Sequence, residues 1–591
     1  MSAPSLPVSS FLFLVACAAV SCGKDEPAPR RGPDQRTQVA ARPVPKEIDL
    51  PPLEGPSPVH FVDGTEEAGI DFVLEAGKSE DFFYVEFMSG GAAFFDADSD
   101  GDVDLFLANG KRLKGPPVDP APTNALYLND GTGHFTDATE ASGLGDPRYS
   151  VAACAADYDN DGDTDLYVEN FDGDNALWRN NGDGTFTDVA AQAGVTGGGA
   201  FGSSCAFADV DGDGLVDLYV AYCNEASVEL NKTCSWPRRD GTGNARRYCN
   251  PENYRPVPDR LYRNNGDGTF EDISLASGIQ SSVGRSLGVA FADYDDDGDQ
   301  DLFVSCDRTE NLYYENDGSG HFTEGALVAG LAVSDDGKRQ AGMGIVSGDW
   351  SGDGRIDVAV TYFEREWNAF YKNMGHHTFA EWARQNGTAS ASFLLLAWGI
   401  EFFDADLDTN LDCMVVNGHI MDNVTLFREP VAGYEQPNLF YLNRGDALFQ
   451  SLGTEAGPAL GIEKVSRGLL IADIDNDGDV DALVTNLQDR VDLLRNDSPR
   501  GGKHFLSVHL VGTKSNRSAI GARVIAHLDG KDLVREVHSG QSYLCQSDLR
   551  QHFGLGEADV VPDLEIRWPS GIVTHLENVA ADQFLEVVEG E

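Results

Sequence analysis

Residues 157–168 read DYDNDGDTDLYV, five aspartates in nine positions followed by an alternating apolar run. Like charges packed this densely destabilise an ordinary turn unless something offsets the repulsion. The stretch recurs. Aligned on the first aspartate, seven copies begin at Asp96 (DADSDGDVD), Asp157 (DYDNDGDTD), Asp209 (DVDGDGLVD), Asp293 (DYDDDGDQD), Asp349 (DWSGDGRID), Asp404 (DADLDTNLD) and Asp473 (DIDNDGDVD). A unit of about 50 to 60 residues therefore repeats, a period typical of solenoids, propellers and arrays.

Every unit has the same outline. A small, apolar run such as GGAAFF (90–95) or RGLLIA (467–472) enters the acidic loop, and an alternating strand such as DLFLAN (104–109) or DLYVEN (165–170) leaves it. A hairpin follows, as in LYLNDGTGHFTD (126–137) and LWRNNGDGTFTD (177–188), with Asn, Asp and Gly at the turn positions that need positive φ. Four strands per unit and seven units predict an all-β fold, a seven-bladed β-propeller over residues 59–499. The seventh unit stops at DLLRNDSPRGG (492–502) without its outer strand, whereas FVDGTEEAGI (61–70) echoes FTDATEASGL (135–144). The N-terminal strand is therefore expected to complete the last blade, which leaves no open edge.

In D-x-D-x-D-G-x-x-D, carboxylates at positions 1, 3, 5 and 9 can converge with the carbonyl of position 7, and glycine at position 6 permits the bend. Hard oxygen donors on a flexible loop suit Ca²⁺. The expected ligands are Asp96, Asp98, Asp100 and Asp104; Asp157, Asp159, Asp161 and Asp165; Asp209, Asp211, Asp213 and Asp217; Asp293, Asp295, Asp297 and Asp301; Asp349, Ser351, Asp353 and Asp357; Asp404, Asp406, Asp408 and Asp412; and Asp473, Asp475, Asp477 and Asp481. Up to seven Ca²⁺ ions are expected. The weakest sites are those where Ser351 replaces the third carboxylate and Thr409 replaces the glycine. No helix flanks the loops and no glutamate stands at position 12, so they are not EF-hands. Solvated acidic turns are the alternative, which seven copies in register disfavour.

With 97 Asp and Glu against 43 Lys and Arg, the net charge is −54, which excludes a nucleic-acid partner. At 41% hydrophobic residues the chain is nonetheless globular. Residues 1–22 read as a lipoprotein-type signal peptide. Its apolar run, Phe11 to Val20, is too short to span a bilayer, and Ala19-Val20-Ser21-Cys22 resembles a bacterial lipobox with lipidation at Cys22. Leu14-Val15-Ala16-Cys17 is the second choice, and a plain secretory signal the third. Residues 23–58 are rich in proline and charge and are expected to form a disordered tether. The implied location is the cell envelope, as an outer-membrane lipoprotein or a secreted protein, with the membrane touched only through the lipid.

The long insertion of the third unit holds Cys223, Cys234 and Cys249. An exported chain can keep a staple there, and Cys234 with Cys249 is the expected bridge, Cys223 remaining an alternative partner. Cys154 and Cys205 read as buried small hydrophobes. His376-His377 reads as exposed decoration of a hairpin turn. In the tail, FLSVHLVG, GARVIAHL, LVREVHSG, LEIRWPSG and QFLEVVEG are short alternating strands, which predict a small β-sandwich over 500–591 with Trp568 in its core or at an interface.

The loops with their N-x-G-x-G-x-F hairpins resemble FG-GAP or VCBS repeats, the calcium-loop propellers also seen in integrin α subunits. The tail is similar to the ASPIC/UnbV domain in NRSAIGARV (516–524), GQSYLCQSDLRQHFGLG (540–556) and WPSG (568–571). Together they resemble the bacterial relatives of cartilage acidic protein. That resemblance implies an extracellular, calcium-binding protein with adhesion or matrix roles and no general reaction.

A partner is expected on the face opposite the loops, where the varied connections lie together with Arg148, Arg285, Arg339 and Arg467 around the channel mouth. Pairing of each arginine with a neighbouring acid is the alternative. No H-E-x-x-H, G-x-S-x-G or phosphate-binding glycine loop occurs. The expected function is a non-catalytic envelope module that binds a glycan or protein. The alternative is an envelope or secondary-metabolism enzyme or accessory, polysaccharide lyase-like or UnbV-like.

Overall fold

The computed structural model describes residues 43–590, apart from 54, 117, 198–199 and 429–431. The signal segment, Cys17 and Cys22 lie outside the described residues. Seven antiparallel sheets follow one another along the chain. The second is typical. Its inner strand Tyr149–Ala156 (YSVAACAA) is buried throughout and made largely of small residues, because inner strands crowd together around the axis. It pairs with Asp165–Asp172, then Ala176–Asn180, then Phe186–Asp188. Neighbouring inner strands contact one another all the way round, and Ala92–Phe95 of the first blade also touches Ser466–Ala472 of the seventh, so the ring is complete. Close approach explains the glycines here: a Cβ at Gly344 would lie 2.2 Å from the Trp398 carbonyl oxygen of the next blade.

As expected, Phe61–Asp63 supplies the outer strand of the last blade, with Phe61 opposite Asn496 and Asp63 opposite Leu494. A second device joins blades. The hairpin asparagines Asn129, Asn180, Asn264, Asn316, Asn373, Asn443 and Asn496 are all buried. Each donates through Nδ2 to a loop carbonyl of the preceding blade: Ile474, Ala97, Tyr158, Val210, Tyr294, Trp350 and Ala405 respectively. Removing Asn373 would orphan the carbonyls of Tyr294 and Ile356 and the amide of Gly375. Asn373→Ala is therefore expected to destabilise by about 2 kcal/mol, read as a lower midpoint in urea unfolding.

The far half of the expected tether follows the propeller surface. Ile48 lies within 2.7 Å of where a Cβ on Gly387 would stand, and Arg444 donates to the Pro51 carbonyl at 3.4 Å. The apolar Ile48 gives that stretch something to bury, which the proline-rich composition obscures.

The tail forms two packed sheets. One holds Gln551–Gly556, His504–Val511 and Gln583–Val588, and the other Lys531–Glu536, Arg523–Leu528, Val560–Arg567 and Val573–Ala580. Leu506, Val508, Val524, Leu564 and Ile566 fill the core, and Trp568, 3% exposed, belongs to it, its indole N–H donating to Thr574.

Between the strands ending at Glu536 and beginning at Gln551, the chain leaves the sandwich and plugs the propeller channel. It reaches all seven blades. Cys545 and Gln546 pair in parallel with Ala92 and Ala93. The amides of Ala155, Phe207, Ser347, Ile400 and Ile471 donate to the side chains of Gln546, Ser539, Gln541, Ser542 and Ser547. Asp293, beside the fourth inner strand, donates to Glu536. Inner-strand edges that face a channel would otherwise carry unpaired amides, and the plug satisfies them. The fit is tight, since a Cβ on Gly540 would lie 2.7 Å from the Cys205 carbonyl oxygen.

Candidate metal loops and the opposite face

The acidic loops share one construction. In the second, Asp157 accepts the amides of Asp161 and Gly162, Asp161 accepts that of Asp163, and Asp165 accepts those of Tyr158 and Asn180. Gly162 has φ +105°, the left-handed bend that position 6 requires. Position 1 receives the amides of positions 5 and 6 in the other six loops as well. Position 9 holds the hairpin asparagine's amide in every copy.

Backbone bonds thus aim the carboxylates at a common centre. Oxygens of Asp96, Asp98 and Asp104 lie within 4.8 Å of one another, as do those of Asp157, Asp159 and Asp165, of Asp209, Asp211 and Asp217, and of Asp293, Asp295 and Asp297. Position 5 already spends one oxygen on the amide of position 7 in all seven loops.

Position 3 is different. One oxygen each of Asp159, Asp211, Asp406 and Asp475, and the hydroxyl of Ser351, is buried with no hydrogen-bond partner. A buried oxygen lacking any donor, among converging carboxylates, fits a hard cation. Without one the loops are electrostatically poor. Burial first, and then neighbouring carboxylates, push Asp104 up to about 8, Asp157 and Asp209 to about 6, and Asp165 and Asp301 to about 9.

The two imperfect copies carry cations of their own. Asp353 of the fifth loop is bridged by Arg355 and by Lys372, at 2.5 and 3.1 Å. In the sixth, Lys503 pairs with Asp406 at 3.1 Å, and Lys531 donates to Thr409 and Asn410. Thr409 keeps the left-handed φ of the missing glycine, +79°. Lys503 and Lys531 come from the sandwich, which sits over the loop face. Arg523 reaches Asp296 and Asp293, Arg550 donates to the Asp473 carbonyl, and Arg500 lies 3.5 Å from Asp479.

His377 is more than decoration. It lies 3.4 Å from Asp295 and 3.6 Å from Glu315, leaning from the fifth blade's hairpin onto the fourth loop. Its replacement of the usual turn residues was the available signal.

Cys234 and Cys249 of the third-unit insertion are joined by a disulfide, while Cys223, Cys154 and Cys205 are buried thiols. The four expected arginines meet partners within the fold. Arg148 bridges Asp146 and Asp188, and Arg339 pairs with Glu310. Arg285 is buried and donates to the Tyr254 carbonyl. Arg467 is fully buried, 4.0 Å over the Trp398 ring, and donates to the carbonyls of Phe87, Gly418, Ser466 and His419. Arg148, Arg339 and Arg467 are consumed by partners within the fold, whereas Arg285 keeps a buried Nε without a partner.

Two family models match. The one described as ASPIC and UnbV covers residues 512–591, and the one described as FG-GAP-like repeat covers 96–168, 167–220, 248–304 and 293–360. Cartilage acidic protein 1 of Homo sapiens is 25% identical over 544 residues, covering 84% of this chain and 71% of its own. The Mus musculus protein of that name is 24% identical over 548 residues, covering 82% and 78%. A solved rhamnogalacturonan lyase of Bacillus licheniformis is 12% identical and covers 74% of this chain and 75% of its own at a TM-score of 0.35, too loose to bear on function. Repeats, acidic loops and C-terminal domain together place the chain among FG-GAP-repeat proteins that carry an ASPIC and UnbV domain, as a relative of cartilage acidic protein 1.

Proposed function

We propose that the chain is an exported, calcium-stiffened binding module of the cell envelope, anchored through lipid at Cys22, which presents the face opposite its acidic loops to an extracellular or envelope glycan or protein. One observation carries this reading. The sandwich covers the loop face and its plug fills the channel, so the face with the varied connections and the stapled insertion is left for a partner. The disulfide suits an oxidising compartment. No helix among the described residues is long and apolar enough to cross a membrane. The residues that would hold Ca²⁺ are positions 1, 3, 5 and 9 of the loops, and the ion would supply the positive charge that the converging carboxylates lack.

The reading is tested by binding of residues 23–591 to a panel of envelope glycans and proteins in calcium buffer. Saturable binding without turnover supports it, and turnover of a bound polysaccharide overturns it in favour of an enzyme.

The built-in cations refine the stoichiometry. The fifth and sixth loops combine a replaced ligand or glycine, Ser351 and Thr409, with cations on their carboxylates, Arg355 and Lys372 on Asp353 and Lys503 on Asp406, so calorimetric titration is expected to count five Ca²⁺ ions instead of seven. Lys372→Ala with Arg355→Ala is expected to add a weak sixth site. A wild-type count of seven would refute the substitution of side-chain cations for the ion.

A further inference from the structure

The insertion stapled by Cys234–Cys249 folds toward the mouth of the plugged channel and helps to enclose a cavity of about 510 Å³. Its walls come from distant parts of the chain and include Trp236, Arg247, Asp307, Met343, Phe363 and Trp398. Beneath it, Trp398 meets Tyr543 of the plug edge-on at 4.9 Å, which closes the floor.

Four arginines, Arg247, Arg308, Arg365 and Arg428, line this cavity against three carboxylates, Glu252, Asp307 and Glu364. Arg428 pairs with Glu364, and Arg308 with Glu366. Asp307, 9% exposed, accepts from the Tyr84 hydroxyl at 3.5 Å. Arg247 has no carboxylate within ion-pair distance among the described residues. Its Nε donates to the Tyr248 carbonyl and one terminal nitrogen to Asn250, while its guanidinium lies 3.6 Å from the centre of the Trp236 ring. The other terminal nitrogen, Nη1, is buried without a partner, in a side chain only 5% exposed. Burial and nearby Arg428 push this guanidinium down to about 10. A buried cation with no carboxylate partner among the described residues is destabilising.

We propose that this cavity is a binding site for a small organic anion with an apolar ring, whose carboxylate or sulfo group is held by the guanidinium of Arg247 and whose ring lies among Met343, Phe363 and Trp398. The site deepens the reading of this face as the binding face, and rests on it. A concave, mainly apolar site with a few placed polar groups is the usual form of a small-molecule pocket, and the planar guanidinium suits carboxylate or sulfonate.

Two dyes of nearly the same shape provide the test. 1-Anilinonaphthalene-8-sulfonate carries the anion, and N-phenyl-1-naphthylamine lacks it. Both are titrated against residues 23–591 in calcium buffer, with the melting temperature confirming the fold. One saturable sulfonate site is expected. Arg247→Gln should weaken the sulfonate about tenfold or more while changing the neutral dye less than about twofold. Ala341→Trp, which fills the cavity from the fifth blade, should abolish both. Absence of saturable sulfonate binding by the folded protein, equal loss of both dyes in Arg247→Gln, or full binding by a folded Ala341→Trp would each overturn the proposal. Should both variants melt early, wild-type salt dependence decides. Between about 0.05 and 0.5 M NaCl the sulfonate should weaken severalfold and the neutral dye should not, and identical behaviour of the dyes overturns the assignment. If the panel binds a glycan or protein while the sulfonate does not bind, the wider reading of this face stands and the cavity assignment alone is lost.

Discussion

A chain ending at residue 499 is expected to lose the cooperative thermal transition of the full protein. The truncation empties the channel of residues 537–549 and strips amide partners from the inner strands, among them those of Ala155, Phe207, Ser347, Ile400 and Ile471. Exchanging a protein hydrogen bond for water costs about 0.5–1.5 kcal/mol net, so five such losses amount to roughly 5 kcal/mol, a large share of the whole stability of an ordinary domain, about 5–15 kcal/mol. The same cut removes Arg523, Arg550 and Lys503 from the acidic loops. A point change samples the effect on a smaller scale. Gln546 is fully buried, donates to the Ala155 carbonyl, and accepts from Ala155, Ser539 and Gly540. Gln546→Ala is expected to destabilise by about 3 kcal/mol, measured by urea unfolding of the full chain. A truncated propeller that melts cooperatively within a few degrees of the full chain would show the plug to be a passenger.

Much of this architecture was legible because its chemistry is local. A nine-residue loop carries its own ligand spacing and its bend, and the hairpin turn after it carries its own positive-φ residues. Ring closure was legible from an imbalance, a blade lacking one strand and an orphan strand at 61–63. The plug was not. GQSYLCQSDL contains no long apolar run and so reads as one more turn of the sandwich, whereas its buried state depends on the diameter of a ring whose seven walls are scattered over the chain. Arg467 illustrates the same limit, since its partner at Phe87 lies 380 residues away. Arg247 sits beside a bridged cysteine, in an insertion that also supplies Trp236, and that conjunction was the signal available for it. The two weakened loops were half visible. Ser351 and Thr409 mark them, but Lys372, Lys503 and Lys531 reach them only through the fold.

Removing calcium is expected to have the second large effect, with a definite pH dependence. Burial and mutual repulsion raise the loop aspartates of the ion-free fold above the unfolded carboxylate value, with Asp157 and Asp209 at about 6, Asp473 at about 7, Asp104 at about 8 and Asp165 at about 9. An acid whose folded pKa is raised contributes stability that is fully present below its unfolded pKa, near 4, and is lost as pH rises through its folded value. In chelator the protein should therefore lose stability from about pH 5 to pH 9. Bound Ca²⁺ takes the place of those protons, so its stabilising effect should grow over the same interval.

The most direct measurement is thermal unfolding of residues 23–591 at pH 7.5, in excess EGTA and then across a Ca²⁺ titration with Mg²⁺ as control. Each independent site adds about 2.7 kcal/mol at a hundredfold excess over its Kd, and five sites in a chain of this size should raise the melting temperature by roughly 10 °C. A rise of that order is expected, selective for Ca²⁺ and smaller at pH 5.5. A melting temperature indifferent to Ca²⁺, or raised equally by Mg²⁺, would mean that the aspartate loops are not calcium sites.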